Sequence, residues 1–583
     1  MREDLENFFK SKMDKEAIDR LHHLDDLGEF LQYINSKFSD KKAFVYKEGE
    51  EVKSINYAQM YDAISKLSAF LQKENKNGEK IAIIANPSPK WVETFLAITS
   101  SSNVAVVVPS SAKLNSIIGI LKMSNAKCVI YDKANEENIK GLKSKLEDIQ
   151  FLPMDPLFET KSVDNLQISP ISPDAPAAIF FTSGTTALSK GVTLTHKNIM
   201  VNAYNGMLGV PLPGGVCRCL LALPLFHVLG LLRSVLTILY QGGEVHFPEN
   251  IKTFFKDFAW SRPTVMVLIP EQANAVTNMI KAKGVSVTGG ELKTIITGGA
   301  TMQAKFKQTL FSYGIDLLQG YGLTECLLVC ANAEREKKLS SVGKPYPGNN
   351  IKIKDKEILV KGEGLFLGYL SEKDTKKSFE DGWFKTGDFG HFDEDGFLYV
   401  TGRKKFLIIL SNGENISPEE LESKILENDS VQEALVYETQ IGSETKVLGV
   451  ELYAPELEYQ KVCEIINQVN DTLPFGSKMR VITKRDEPFA KTPSNKIIRN
   501  GFQNTIFTRL KQTFVESPLI NANPDSVVMD ARLVEDLEMS SIAFAELLCD
   551  FEEKFSVKAD LDEISKMSTI RDAYNYLQKN YNG

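Results

Sequence analysis

Phe181-Thr-Ser-Gly-Thr-Thr-Ala-Leu-Ser-Lys-Gly191 directly follows the apolar run Ala177-Ala-Ile-Phe-Phe181. The stretch packs two glycines, five hydroxyls and one lysine into eleven residues. Such a loop offers backbone N–H groups, hydroxyl donors and a cation to a polyphosphate, although a polar surface turn has the same composition. Its spacing is not GxxxxGK[ST], because Gly184 and Lys190 are too far apart and Gly191 follows the lysine. Outward from this loop, short apolar runs alternate with amphipathic stretches. KIAIIA (80–85) precedes the helical KWVETFLAI and then VAVVVP (104–109), and CVIYD (128–132), TVMVLIP (264–270) and LKTIITGG (292–299) read as further buried strands. The alternation predicts an α/β protein with mixed, largely parallel sheets covered by helices.

Three further segments accompany the loop. Gln319-Gly-Tyr-Gly-Leu-Thr-Glu325 gathers an aromatic, a hydroxyl and a carboxylate after a strand, a set suited to a base, a phosphate and a magnesium ion. Lys385-Thr-Gly-Asp388 puts a carboxylate on a tight turn, where it could accept both hydroxyls of a ribose. Gly402-Arg-Lys-Lys405 opens a second unit with cations. In this order the four segments resemble the adenylate-forming superfamily of acyl-CoA synthetases, luciferases and peptide-synthetase adenylation domains. The resemblance runs from about Leu27 to Arg499 and includes LALPLFHVLGL (221–231), GYLSEKDTKKSFEDGWFKTGD (368–388), SNGENISPEELE (411–422) and KTPSNKIIR (491–499).

The resemblance implies ATP and Mg2+ as cofactors and assigns roles position by position. Thr182, Ser183, Gly184, Thr185, Thr186 and Lys190 hold phosphate, Gly299 and Ala300 form the adenine wall, and Tyr321 stacks on the base beside Gly322. Thr324 contacts phosphate, Glu325 holds the metal, Asp388 binds ribose with help from Arg403, and Lys496 bridges the carboxylate and the α-phosphate. Ala187, Ser189, Asn495 and Phe406 depart from the family's usual glycine, proline, glycine and polar hinge residue. His227 stands where amino-acid-activating relatives carry an aspartate. An unpaired ammonium in a buried pocket is costly, so an α-amino acid is not expected; PLFHVLGLLRSVL (224–236) resembles instead the fatty-acyl and aryl-acid members, a resemblance that implies a fatty or aryl acid with His227 bordering the acyl pocket. A core histidine remains an alternative reading of that position.

The acidity of the chain is local. Residues 521–583 hold 13 Asp+Glu against 6 Lys+Arg, a net of −7 within a total of −8. Inside this segment Phe544, Leu547, Leu548, Phe551 and Phe555 mark an amphipathic helix opening near Ser541. The wider run LVEDLEMSSIAFAELLCDFEEKF (533–555) resembles an acyl carrier protein, an all-α four-helix bundle, and aligns Ser541 with the serine that receives 4'-phosphopantetheine. A plain N-cap serine is the competing explanation. The expected organisation is therefore a helical extension 1–25, an AMP-binding domain 26–402, a small adenylation subdomain 403–500 and a carrier domain 501–583.

Together these readings predict an acid–thiol ligase that loads its own carrier, with CoA as the alternative acceptor and the carrier-like unit then a relic or docking module. A pseudo-enzyme that senses nucleotide is a third reading, opposed by the complete set Glu325, Asp388, Arg403 and Lys496. Expected partners are the carboxylic acid, a phosphopantetheinyl transferase and downstream acyl-accepting enzymes. No nucleic acid and no integral membrane segment are expected, since no run approaches ~18 apolar residues. MREDLENFFKSK is charged throughout, unlike a secretory signal, and the seven scattered cysteines suit a reducing cytoplasm.

Overall fold

The structure, a computed structural model, describes residues 2–580 apart from 14, 75–77, 160–169, 183–189, 210–216, 300, 301, 303, 333–337, 411–414, 442–444, 475, 476, 486, 492–496, 498, 500–509, 512, 516, 518, 519, 521–526, 528–530, 538, 541, 542, 545, 546, 548–556, 558–563 and 565. The chain forms two compact units: Met1–Thr386 with Gly390–Val400, and Gly387–Phe389 with Thr401–Gly583.

The first unit carries two large sheets. One has seven strands and runs through Lys80–Ile84, Val104–Val107 and Cys128–Tyr131, which pair in parallel. The other has nine strands and includes the parallel set Val265–Leu268, Thr294–Thr297 and Asp316–Tyr321. The apolar runs of the sequence become these strands because both of their faces are covered. Alternate side chains of each strand enter different cores: Ile81, Ile83, Ala105 and Val107 face one cluster, and Ala82, Ile84, Val104 and Val106 another. The nine-stranded sheet divides in the same way, sending Val265, Val267 and Ile296 into the cluster shared with Ile81 while Met266, Leu268 and Ile295 enter a third.

Local signals set the helix ends. Asp26 accepts the N–H groups of Gly28 at 2.6 Å and Glu29 at 3.0 Å and caps Leu27–Phe38. Ser88 accepts from Trp91 at 3.2 Å with Pro89 at the first helical position of Pro89–Ser100. The charged lead-in, without an assigned purpose in the sequence, is a fastened element. Its helix Arg2–Lys10 buries Phe9 in a stack on Tyr346 at 5.0 Å, Tyr204 donates to Glu6 at 3.0 Å, and Tyr240 donates to the His22 carbonyl at 2.7 Å.

The second unit holds a three-stranded sheet of Glu433–Ile441, Thr445–Tyr453 and Met479–Arg485, with helices Pro418–Ile425 and Tyr459–Asp471. Of the expected strand 406–410 only Ile408–Ile409 pairs. One face of the sheet sends Leu448, Val450 and Leu452 into a core with the two helices. From the other face Val447 and Val481 join a cluster built by the C-terminal segment, with Leu510, Phe514, Leu533, Leu547, Tyr574 and Leu577 among its members. Thr483 and Tyr574 share a hydrogen bond there. The acidic segment is thus folded around an apolar core, with one helix, Ile570–Asn580, bounded among the described residues. The expected boundary at 500 falls on residues outside those described.

Candidate active site

Thr182 and Lys190 are the described ends of the phosphate loop. The Thr182 N–H donates to the Lys190 carbonyl at 3.1 Å, and the strands Pro176–Phe181 and Gly191–Thr195 pair antiparallel beyond them. Ser183, Gly184, Thr185 and Thr186 lie outside the described residues, as does Ala300. The Lys190 ammonium sits 4.7 Å over the Tyr369 ring and 3.8 Å from the Asp374 carboxylate. Tyr369 donates its phenol proton to Glu325 Oε1 at 2.7 Å. Burial first, and then the charge of Glu325, raise the Tyr369 phenol and keep its proton in place. One tyrosine therefore links the loop lysine to the candidate metal carboxylate.

Glu325 and Thr324 occupy the turn after the strand Asp316–Tyr321, at the carboxyl end of parallel strands, the position where open α/β sheets bind ligands. Gly322 is forced by that turn, since a Cβ would lie 1.6 Å from the Leu327 carbonyl oxygen. Gly299 has φ +85°, a conformation that suits glycine. Tyr321 is buried among Cys326, Val329 and Val342, so its ring is largely covered by protein. His227 precedes the short helix Val228–Leu231, which continues into a π-helical turn, Leu232–Leu236, and its ring lies 4.7 Å from Phe226.

In the second unit Asp388, 2% exposed, pairs with Arg403 Nε at 2.8 Å, and the Arg403 N–H donates to Glu419 Oε2 at 3.0 Å. Arg499 makes a two-pronged pair with Glu422, Nη1 to Oε1 at 2.8 Å. Burial pushes the Glu422 carboxyl up, to about 7, against the pull of Arg499. Phe406, the atypical hinge residue, lies 5.1 Å from the Arg499 guanidinium. Lys496 and Asn495 are outside the described residues, and so is Ser541. Ser540 is described, and its Oγ accepts the Ala543 N–H at 3.3 Å.

Residues 31–370 of the chain match the AMP-binding enzyme family, well over half of its length. The chain belongs to that family. This AMP-binding enzyme is 28% identical over 430 residues to the long-chain-fatty-acid–CoA ligase FadD15 of Mycobacterium bovis, covering 62% of this chain and 71% of that one. It is 34% identical over 332 residues to the 2-succinylbenzoate–CoA ligase of Bacillus licheniformis, covering 54% and 66%. Its fold matches ATP-bound MatB from Rhodopseudomonas palustris with a TM-score of 0.73 at 22% identity, covering 82% of this chain and 98% of that one. The expected class, an AMP-forming acid–thiol ligase, agrees with these names, and membership carries the coarse function of activating an acid as its adenylate.

Sequence reasoning missed three residues in this AMP-binding enzyme. Tyr369 is one. The other two are Thr297 and Gln319, neighbours in register on adjacent parallel strands and each 1% exposed, whose Oγ1 and Oε1 atoms are buried with no hydrogen-bond partner among the described residues. Orphaned polar atoms of this kind cost stability and fit a polar ligand at the strand ends. Their signal was present: polar residues closing otherwise apolar runs. Among the described residues no group of three or more His, Cys, Asp or Glu could hold a metal alone. Glu325, with one oxygen taken by Tyr369, suits a magnesium ion that shares its shell with substrate phosphates. No helix among the described residues is long and apolar enough to cross a membrane.

Proposed function

We propose that this chain activates a fatty or aryl acid with ATP and passes the acyl group to a phosphopantetheine thiol on its own C-terminal unit. The observation that carries the first half is the Lys190–Tyr369–Glu325 arrangement, which sets a cation and a carboxylate about one tyrosine at the carboxyl ends of parallel strands.

In the activating step a carboxylate oxygen of the acid attacks the α-phosphorus of ATP. The bond from that phosphorus to the bridging oxygen breaks, and pyrophosphate leaves. Two anions must meet, and charge gathers on nonbridging oxygens, so electrostatic positioning lowers the barrier without a protein nucleophile. Lys190 and Lys496 supply cations, Asp388 and Arg403 hold the ribose, and His227 borders the acid. Bound magnesium would neutralise phosphate charge, with Glu325 as its protein ligand. Thiol attack on the acyl carbon then expels AMP. The phosphopantetheine arm, attached through Ser541, supplies that thiol.

One observation supports the carrier half: the acidic segment packs around a buried apolar cluster, which Val447 and Val481 of the small unit's sheet join. A second reading, release of acyl-CoA, is favoured by the names of both curated relatives, which are CoA ligases. The test is intact-protein mass spectrometry of the chain with a phosphopantetheinyl transferase, ATP and a panel of fatty and aryl acids, alongside pyrophosphate release. A pantetheine increment followed by an acyl increment supports self-loading. Pyrophosphate release with CoA-dependent turnover and no increment on Ser541 establishes the second reading, and no release with any acid removes both. Mixing a Lys496→Ala chain with a Ser541→Ala chain then separates delivery within one molecule from delivery between molecules.

A further inference from the structure

Ser417 stands in extended backbone at the N-cap of the helix Pro418–Ile425, yet its side chain makes no cap hydrogen bond. A serine in that place, with proline at the first helical position, normally accepts an N–H of the first turn. Here the Ser417 hydroxyl donates instead to the Thr401 carbonyl at 2.8 Å. Two residues on, Glu419 reaches the same stretch of chain and accepts the Arg403 N–H through Oε2 at 3.0 Å. The start of the helix therefore holds the backbone on either side of Gly402. The glycine makes the approach possible: its φ is +153°, and a Cβ there would lie 1.9 Å from Ser417 Oγ and 3.0 Å from Glu419 Oε2.

Thr401, Gly402 and Arg403 are the residues with which the chain re-enters the second unit. Arg403 also carries the guanidinium that pairs with the buried Asp388, Nε to Oδ1 at 2.8 Å. A guanidinium is a rigid, directional fork, so its aim follows the backbone that bears it. A helix start that served only its own helix would keep its serine as the cap. Both side chains are given instead to the three residues that aim Arg403.

We propose that Glu419 is a positioning residue for nucleotide binding, which fixes the Arg403 backbone and through it the Asp388–Arg403 pair that receives the ribose hydroxyls. The inference rests on the reading of Asp388 and Arg403 as the ribose pair. Glu419 acts as a hydrogen-bond acceptor and touches no substrate atom. Its effect therefore falls on affinity for a nucleotide that has ribose hydroxyls, and not on the turnover of bound substrates.

The test uses the full-length chain. Calorimetry gives the Kd for ATP and for 2',3'-dideoxy-ATP with Mg2+ and no acid, and pyrophosphate release is followed with decanoate or benzoate, whichever releases more. Glu419→Ala removes the acceptor; Glu419→Gln keeps an oxygen that can take the same N–H. Glu419→Ala should weaken ATP binding about tenfold and raise the KM for ATP to match, with kcat within about twofold. Glu419→Gln should stay within about threefold of the parent. With the dideoxy nucleotide, Glu419→Ala and the parent should agree within about twofold, because the contact that Glu419 aims is then absent. An equal loss for both nucleotides, a fall in kcat at unchanged KM, parent-strength ATP binding by Glu419→Ala, or a loss in Glu419→Gln as large as in Glu419→Ala would overturn the proposal. Should Glu419→Ala fail to fold, Ser417→Ala frees the Thr401 end of the same grip; it is expected to show the same selective loss, and absence of that loss overturns the proposal. If the parent binds ATP and its dideoxy form equally, or Arg403→Ala binds ATP at parent strength, the ribose reading fails and the proposal falls with it.

Discussion

Glu93 lies in the middle of the helix Pro89–Ser100, 3% exposed, between neighbours that are themselves buried. Burial pushes its carboxyl from 4.5 up to about 8, and the Lys90 ammonium opposes this only weakly. The folded chain therefore keeps a proton on Glu93 that the unfolded chain releases near pH 4.5. Between those values unfolding releases one proton, so the stability this site contributes is fully present below about pH 4.5 and is lost as pH rises through about 8. The slope is about 1.4 kcal/mol per pH unit, and the full span is about 5 kcal/mol. Glu93→Gln fixes the neutral form at nearly constant volume. The variant should match the parent near pH 5 and exceed it increasingly up to pH 8.5. Tryptophans 91, 260 and 383 all lie in the first unit, so urea unfolding followed by their fluorescence reports on it. Midpoints at pH 5.5, 7 and 8.5 give the difference curve if the slope with urea is unchanged. A difference that is flat or shrinks with pH refutes the argument, because it would mean that the carboxylate is ionised and compensated in the folded chain.

Tyr369→Phe removes a hydrogen bond to a carboxylate worth about 1.5 kcal/mol; pyrophosphate release should slow about tenfold, and the melting temperature should fall by only a few degrees. Phe9→Ala empties a fully buried site stacked on Tyr346 and should cost about 3–5 kcal/mol, read as a lower unfolding midpoint in the same fluorescence assay. Val481→Asp places a charge in the cluster beneath the C-terminal segment, at a cost of several kcal/mol. Hydrogen exchange should then lose protection over Ile570–Asn580 while adenylation continues at the parent rate.

The strands were legible because each is an unbroken apolar run of the length a doubly covered strand needs, as in Lys80–Ile84 and Cys128–Tyr131. Lys190 and Glu325 were singled out through the hydroxyl-rich loop and the GYGLTE run and the family resemblance those segments carry. Tyr369 was not, since an aromatic in Gly-Tyr-Leu reads as ordinary core. Its role depends on pairing with Val192 of a distant strand, and a single sequence does not display register across 177 positions. The same holds for Phe9, whose partner Tyr346 is far along the chain. The π-helical turn at Leu232–Leu236 leaves no mark in composition, because the same residues would serve an α-helix. The acidic tail was read as folded from its apolar spacing. What it packs against came only from Val447 and Val481, which stand on one face of a sheet whose other face makes the small unit's own core.

That packing constrains the proposed self-loading. A flexible tether presents its thiol at millimolar effective concentration and needs slack. Here Tyr574 and Leu577 belong to the same cluster as Val447 and Val481, and Tyr574 is hydrogen-bonded to Thr483. The C-terminal segment is seated on the sheet and not swinging free. Delivery in this docked state requires the whole second unit to present the arm as one body. Delivery by a released segment first gives up the burial of several apolar side chains. The two routes respond oppositely to Val481→Asp. A loading rate that falls with the loss of protection over Ile570–Asn580 identifies the docked state as productive. A rate that rises identifies docking as a brake, with release of the C-terminal segment as the step that limits transfer.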